Sequence, residues 1–144
     1  AELEELEPPL MPERKKWKLT ASHGGEKLGG CVDGNGKSRY DTGASQVPGM
    51  WVQVELPSVS KVNRIKLDSQ GSSRDYPRGY QVESSVDGKK WSEPLAIGVG
   101  KHPITDISFP TTEAKYLKII QTGRVNGLYW SIHEMQIFGK PVPR

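Results

Sequence analysis

The segment Trp51-Val52-Gln53-Val54-Glu55-Leu56 alternates apolar and polar side chains residue by residue. In extended backbone this places Val52, Val54 and Leu56 on one face, an arrangement a helical period cannot give. Tyr80-Gln81-Val82-Glu83-Ser84 alternates in the same way, and apolar-rich runs recur at 62–67, 104–109, 116–120 and 130–138. Between the runs lie most of the 16 glycines and 11 prolines, the residues that end regular structure and supply turn geometry. Asp87-Gly88, directly after one alternating run, predicts a hairpin turn. Residues 17–139 contain no convincing helix pattern. Seven or eight short strands separated by turns imply an all-β chain, an antiparallel β-sandwich or jelly roll.

At 144 residues the chain is one domain's worth and long enough to bury a core. Residues 1–16 are acidic and punctuated by Pro8, Pro9 and Pro12, and read as a linker or docking tail. The domain proper is expected at 17–139, with a short tail at 140–144. The tail 1–16 carries a local charge of −2 within a total of +3, leaving a mild +5 on the remainder. That charge forms no dense basic stripe beyond Arg14-Lys15-Lys16, which argues against nucleic acid as the partner. No apolar run is long enough for a membrane-spanning helix. The absence of a charged-then-apolar start fits a cytosolic protein or an excised module. Cys31 is the single cysteine and cannot form an internal disulfide.

The stretch Cys31 to Thr42 gathers Asp33, Asn35, Ser38 and Asp41 around Gly34 and Gly36. Hard oxygens converging on one point suit Ca²⁺, and an ion-free turn closed by its own Asp and Asn side chains is the alternative. An EF-hand is excluded, because the twelfth position counted from Asp33 is Ala44, where that motif needs Glu. Any closing carboxylate must come from elsewhere in the chain. The turn-rich segment Gly43–Gly49 reads as an exposed rim, and Asp68–Arg78 as a polar loop.

The order of these motifs carries a resemblance. Asp33-Gly34-Asn35 and Ser38-Arg39-Tyr40 precede Trp51–Leu56; Pro77–Val82 leads to Ser85–Trp91; Lys115–Ile119 precedes Trp130-Ser131-Ile132-His133-Glu134. Over residues 17–139 this resembles the discoidin, or coagulation factor V/VIII type C, domain family, and within it the bacterial carbohydrate-binding modules. The resemblance implies a galactose-binding-like jelly roll and a structural Ca²⁺, and it implies core positions for the strand-edge Trp51, Trp91 and Trp130, each burying roughly 150–250 Å². By motif, the ion would be held by Asp33 and Glu134, by oxygens of Asn35 and Ser38, and by the carbonyls of Gly30 and His133. The His133 side chain would then face solvent. Ser38 stands where the family often has Thr.

The resemblance also implies a non-catalytic module that targets a parent enzyme to glycan, with the ligand on loops at one end of the sandwich. Those loops hold Asp41, Gln70, Arg74, Asp75, Tyr76, Arg124, Asn126 and Tyr129. Tyr129 is the favoured stacking platform, Tyr76 the second, and Arg74 with Asp75 would hold hydroxyls or an acid group. Asp41 stands where sugar-binding relatives often place His. The implied partner is a galactose-type or an acidic or sulfated polysaccharide, and the implied location is extracellular or in the cell envelope. The candidate rim has no aromatic tip, which argues against membrane docking, and a monomeric module of a larger protein is expected. A protein-interaction or adhesion domain on the same scaffold is the alternative. No recognisable nucleophile–base pair or carboxylate dyad points to an enzyme.

Overall fold

The computed structural model describes residues 9–143. The acidic stretch 1–8 of the expected tail lies outside the described residues. Eight strands follow in order: β1 Lys18–Ala21, β2 Tyr40–Asp41, β3 Met50–Asp68, β4 Tyr80–Ser85, β5 Ala96–Gly98, β6 Ile104–Gln121, β7 Ser131–Ile132 and β8 Glu134–Pro141. Every pairing is antiparallel. The all-β expectation holds, with two short 3₁₀ helices, Arg14–Lys16 and Gly25–Cys31, as the helical exceptions.

Two long strands carry the architecture. β3 and β6 pair from Met50 opposite Gln121 to Asp68 opposite Ile104, with register shifts between Glu55 and Ser60 and between Val62 and Arg64. The pairs of runs expected as separate strands (51–56 with 62–67, and 104–109 with 116–120) are therefore continuous. The first half of β3 lies between β1 and β6, and β6 passes the sheet on to β4 and β5. The second half pairs with β8. Pro57, which has no N–H to give to a ladder, falls at the break between the halves.

The second shift is a bulge. Val62 and Arg64 of β3 oppose the consecutive residues Gly139 and Phe138 of β8, so Asn63 is the extra residue. It reverses the alternation: Met50, Val52, Val54, Leu56 and Val62 are buried before it, Ile65 and Leu67 after it. Both sets join one core with Val82, Ile107, Leu117, Ile119, Trp130, Met135 and Ile137.

Several expectations need correction. Trp130 is fully buried, but Trp51 and Trp91 are only partly so, because Trp51 has the opposite parity to Val52 and Val54. Both tryptophans flank the Lys118 ammonium, which lies 5.4 Å from one ring and 4.3 Å from the other. The β4–β5 hairpin exists, but its connection runs over 86–95, and Asp87 closes only a local turn by accepting from Lys89 and Lys90. Residues 9–16 are no tail: Met11 is buried and donates to the Ile137 carbonyl, and Leu10 bridges Phe138.

Opposite the bulge, a Cβ on Gly139 would lie 2.2 Å from the Lys61 carbonyl oxygen, so only glycine lets the two backbones approach. Gly139→Ala is expected to destabilise the domain by about 1–3 kcal/mol, the cost of forced overpacking. A urea titration beside the parent chain measures it, and an unchanged midpoint would show that the strands separate there without strain.

Candidate functional site

β2 and β7 pair through Tyr40 opposite Ile132 and Asp41 opposite Ser131, which brings the loop after Cys31 against the loop before β8. The short ladder is reinforced on its flank. The Thr42 amide donates to the Trp130 carbonyl (3.1 Å), and the Trp130 amide donates back to the Thr42 hydroxyl (3.2 Å). Tyr40 is buried edge-on to Trp130 and donates to the His23 carbonyl at 2.6 Å. Burial pushes its phenol pKa well up. Beside it burial, followed by the Glu134 carboxylate, pushes the Cys31 thiol up to about 12. Cys31 is thus a packed, protonated thiol rather than a reactive one.

Asp41 is nearly buried, and its carboxylate is shared by two cations. Lys27 Nζ lies 2.7 Å from Oδ1 and Arg39 Nε 3.3 Å from Oδ2. Lys27 stands on the 3₁₀ helix Gly25–Cys31, and its hydrogen bond to Asp41 holds its pKa up. Tyr129 is placed at the same end, because the adjacent Trp130 is hydrogen-bonded to Thr42, next to Asp41. Arg39 continues the network: NH1 donates to Ser72 Oγ at 2.6 Å and lies 3.8 Å from Asp75 Oδ2, which also accepts from Ser131 Oγ at 2.6 Å.

His133 closes this network from below. Its ring is 7% exposed, so the expectation that it faces solvent is wrong. Nδ1 lies 2.7 Å from the Gly36 carbonyl, an acceptor only, so Nδ1 carries the proton and Nε2 accepts from Ser72 Oγ at 2.8 Å. Ser72 and His133 thus have the spacing of a nucleophile–base pair. However, a backbone carbonyl orients the imidazole where hydrolases place a carboxylate, and the Ser72 oxygen already accepts from Arg39.

A second anchor lies in the segment expected as an exposed rim. Gln46 is completely buried; its amide donates to the carbonyls of Tyr76 (2.9 Å) and Tyr129 (3.1 Å) while its oxygen accepts from the Arg78 amide (3.0 Å). One side chain thereby fixes two loops that carry candidate ligand residues. No sequence signal marked it, because a glutamine in a Gly/Pro-rich stretch reads as surface. Gln121, also fully buried, does similar work between Val47 and Gly123.

Of the expected ligand residues, Asp41, Asp75 and Tyr129 come together, joined by Lys27 and Arg39, which sequence reasoning did not include. Asp75 turns into the network, whereas Arg74 turns out to solvent, so the two do not act as a pair. The Tyr76 ring is covered by the Arg78 guanidinium at 3.8 Å and offers no open stacking face on that side. The Gln70 side chain lies over Gly36, where a Cβ would meet its Oε1 at 2.4 Å. Arg124 and Asn126 are exposed, with no polar contact tying them to the network. Tyr129 is 40% exposed, more than any other aromatic among the described residues.

The expected calcium ligands are arranged differently from a closed shell. Asp33 Oδ1 accepts from the Asn35 amide and Asn35 Oδ1 from the Lys37 amide, both at the exposed surface. The Asn35 amide holds the Asp33 carboxyl below its usual range, with Ser38 adding a further hydrogen bond. Gly30 packs its Cα against the Arg39 backbone, 2.8 Å from where a Cβ would stand to the Arg39 carbonyl. Glu134 Oε2 is taken by Arg14 NH1 at 2.5 Å, while Oε1 is buried without a partner. The oxygen chemistry suits calcium, but a guanidinium already neutralises the one buried carboxylate of the set, so the residues as arranged do not fit an added ion. Among the described residues no three His, Cys, Asp or Glu side chains form a metal-binding group.

Gln46→Leu keeps the size of the side chain but strands two carbonyls and an amide, at roughly 1–3 kcal/mol per buried unsatisfied group. The expected result is a lower melting temperature together with faster hydrogen exchange at the Arg78 amide. Unchanged exchange at Arg78 would show that the loops hold without this anchor.

The chain matches the F5/8 type C domain profile over residues 17–135. Among solved structures it is similar to chitosan-binding module 1 of a chitosanase/glucanase from Paenibacillus sp. IK-5, at 28% identity and a TM-score of 0.71, covering 85% of this chain and 94% of that one. The family 32 carbohydrate-binding module of Clostridium perfringens NanJ, solved in complex with galactose, gives 19% identity and a TM-score of 0.76, covering 90% and 97%. The C-terminal domain of a chitobiase from Bacteroides fragilis gives 20% identity and a TM-score of 0.75, covering 94% and 100%. No curated protein sequence matches the chain. With its profile match spanning most of its length, the chain belongs to the F5/8 type C domain family.

Proposed function

We propose that this domain is a non-catalytic carbohydrate-binding module, acting in an extracellular setting as one part of a larger polysaccharide-active protein. The observation that carries the reading is the exposed Tyr129 ring at the same end of the sandwich as the Lys27–Asp41–Arg39 network. A flat apolar face next to fixed polar groups is what a pyranose needs: C–H stacking on one side and hydrogen bonds to hydroxyls on the other. The similar Paenibacillus chitosan-binding module and the galactose complex of the Clostridium module support the same class of ligand. No bond-breaking step is built into the reading, because the Ser72 hydroxyl and the His133 ring are each engaged at both ends.

Charge refines the ligand class. Asp41 and Asp75 already hold Lys27, Arg39 and Ser131, so neither carboxylate is left to receive the ammonium of a glucosamine unit. Lys27 and Arg39 are each 40% exposed and have donors to spare, which suits hydroxyls, uronates or sulfates. The chitosan-binding neighbour therefore supports the fold and the broad ligand class, while the charge pattern favours acidic over amino-sugar ligands for this chain.

A glycan array followed by calorimetry on the selected ligand tests the reading. Uronate- or sulfate-bearing glycans are expected above neutral galactosides, and both above chito-oligosaccharides. Tyr129→Ala should remove roughly 1–3 kcal/mol of binding, on the scale of aromatic stacking. Lys27→Ala should weaken acidic ligands more than neutral ones, and added salt should mimic that loss without touching the stacking term. Full binding by a Tyr129→Ala chain that melts as the parent does would move the site elsewhere on the domain. No glycan bound at all would favour the adhesion alternative.

A further inference from the structure

Arg14 lies in the stretch that composition marks as tail, yet its backbone is fixed on both sides. Met11 and Trp17 are buried in the core, and the Trp17 amide donates to the Arg14 carbonyl at 3.1 Å. From this anchored turn the guanidinium reaches the start of β8. NH1 donates to Glu134 Oε2 at 2.5 Å and to the Met135 carbonyl at 3.0 Å. NH2 lies 3.9 Å from the position a Cβ on Gly34 would take, so the guanidinium also faces the Asp33 loop across a shared cleft. The final-strand acid is thus bonded to a side chain that borders the Asp-Gly-Asn loop. Arg14 and Glu134 are 19% and 13% exposed, which removes much of the solvent screening that makes surface pairs weak.

Two positive charges compete for this place. A divalent ion between Asp33 and Glu134 would sit within a few ångströms of a fixed guanidinium, a repulsion worth kilocalories at partly buried sites. Lys15 adds further positive charge to the cleft that Arg14 shares with Val32, Asp33 and Gly34, while Lys16 is paired there with Glu13 at 3.3 Å. The buried, unpartnered Glu134 Oε1 marks where an ion would first find an oxygen once the guanidinium withdrew.

We propose that Arg14 is the resident cation of this domain, and that Arg14 and Ca²⁺ are mutually exclusive partners of Glu134. The N-terminal segment, through one arginine, closes the loop-to-strand junction without metal. This inference is independent of the glycan reading.

Melting curves and calcium titrations on the full chain and three variants test it. The parent should contain no stoichiometric calcium as purified and melt identically in EDTA and in calcium. Arg14→Met should melt lower in EDTA, recover in calcium, and bind the ion about tenfold or more tightly than the parent, the effect of removing roughly 1.4 kcal/mol of repulsion. Arg14→Lys, which keeps the charge, should stay insensitive to calcium. Arg14→Met combined with Glu134→Gln should lose the calcium response. If Arg14→Met is unfolded in EDTA, refolding on addition of calcium supports the proposal and continued unfolding overturns it. A parent chain that retains calcium or melts lower in EDTA overturns it, as does an Arg14→Met chain that responds to calcium no more than the parent.

Discussion

The antiparallel pairing of β3 with β6 is the constraint on which the rest of the domain depends. It runs unbroken in topology from Met50 opposite Gln121 to Asp68 opposite Ile104, so one pair of strands supplies the centre of both halves of the core. Strands this long must bend to bury an inner face on both sides of the core. The register shifts after Glu55 and Val62 are where they do so, with Pro57 and Asn63 at the breaks. β1, β4 and β5 assemble against the first half and β8 against the second. The segment 69–79 then links the end of β3 to β4. On its way it donates from Ser69 to the Pro103 carbonyl, and through Gly79 it accepts from the Thr122 amide.

This arrangement explains why the polar groups collect where they do. Segments 42–49, 69–79 and 122–130 meet at the strand ends, and their backbone groups cannot join a ladder there. Buried side chains take the place of sheet partners: Gln46 for Tyr76, Arg78 and Tyr129, Gln121 for Val47 and Gly123, and His133 for Gly36. A buried amide that satisfies three backbone groups holds a loop more firmly than apolar contact does, since losing it leaves each group desolvated and unpaired. The exposed tips of Tyr129, Lys27 and Arg39 inherit that rigidity. Preorganised groups of this kind lower the ordering cost of binding a flexible glycan.

The N-terminal segment shows how a polar, proline-punctuated stretch becomes part of a fold. Pro9 accepts from Gly139, Leu10 bridges Phe138 and Met11 donates to Ile137, so residues 9–11 lie along β8 and cover an edge that would otherwise stay open. Trp17 turns the chain into β1, and Arg14, between these anchors, is carried to Glu134. The domain therefore begins earlier than its profile match, which starts at residue 17.

Alternation, turn residues and motif order together determined the strand-rich class, the inner faces of Val52, Val54, Leu56, Ile65 and Leu67, and membership of the family, because side-chain parity and local turn chemistry are written residue by residue. That Asp41, Asp75 and Tyr129 lie on loops at one end of the sandwich was legible from the order of the motifs that flank those loops. What only the tertiary structure decided concerns pairs far apart in sequence. The continuity of β3 past Pro57 depends on β6 and β8, and the meeting of Trp51 and Trp91 around Lys118 joins three segments far apart in the chain. The burial of Gln46 and His133 depends on carbonyls of loops distant in the chain. Arg14 meets Glu134 across 120 positions, and no local pattern encodes such a contact, since its energy exists only once the strands have brought the two charges together.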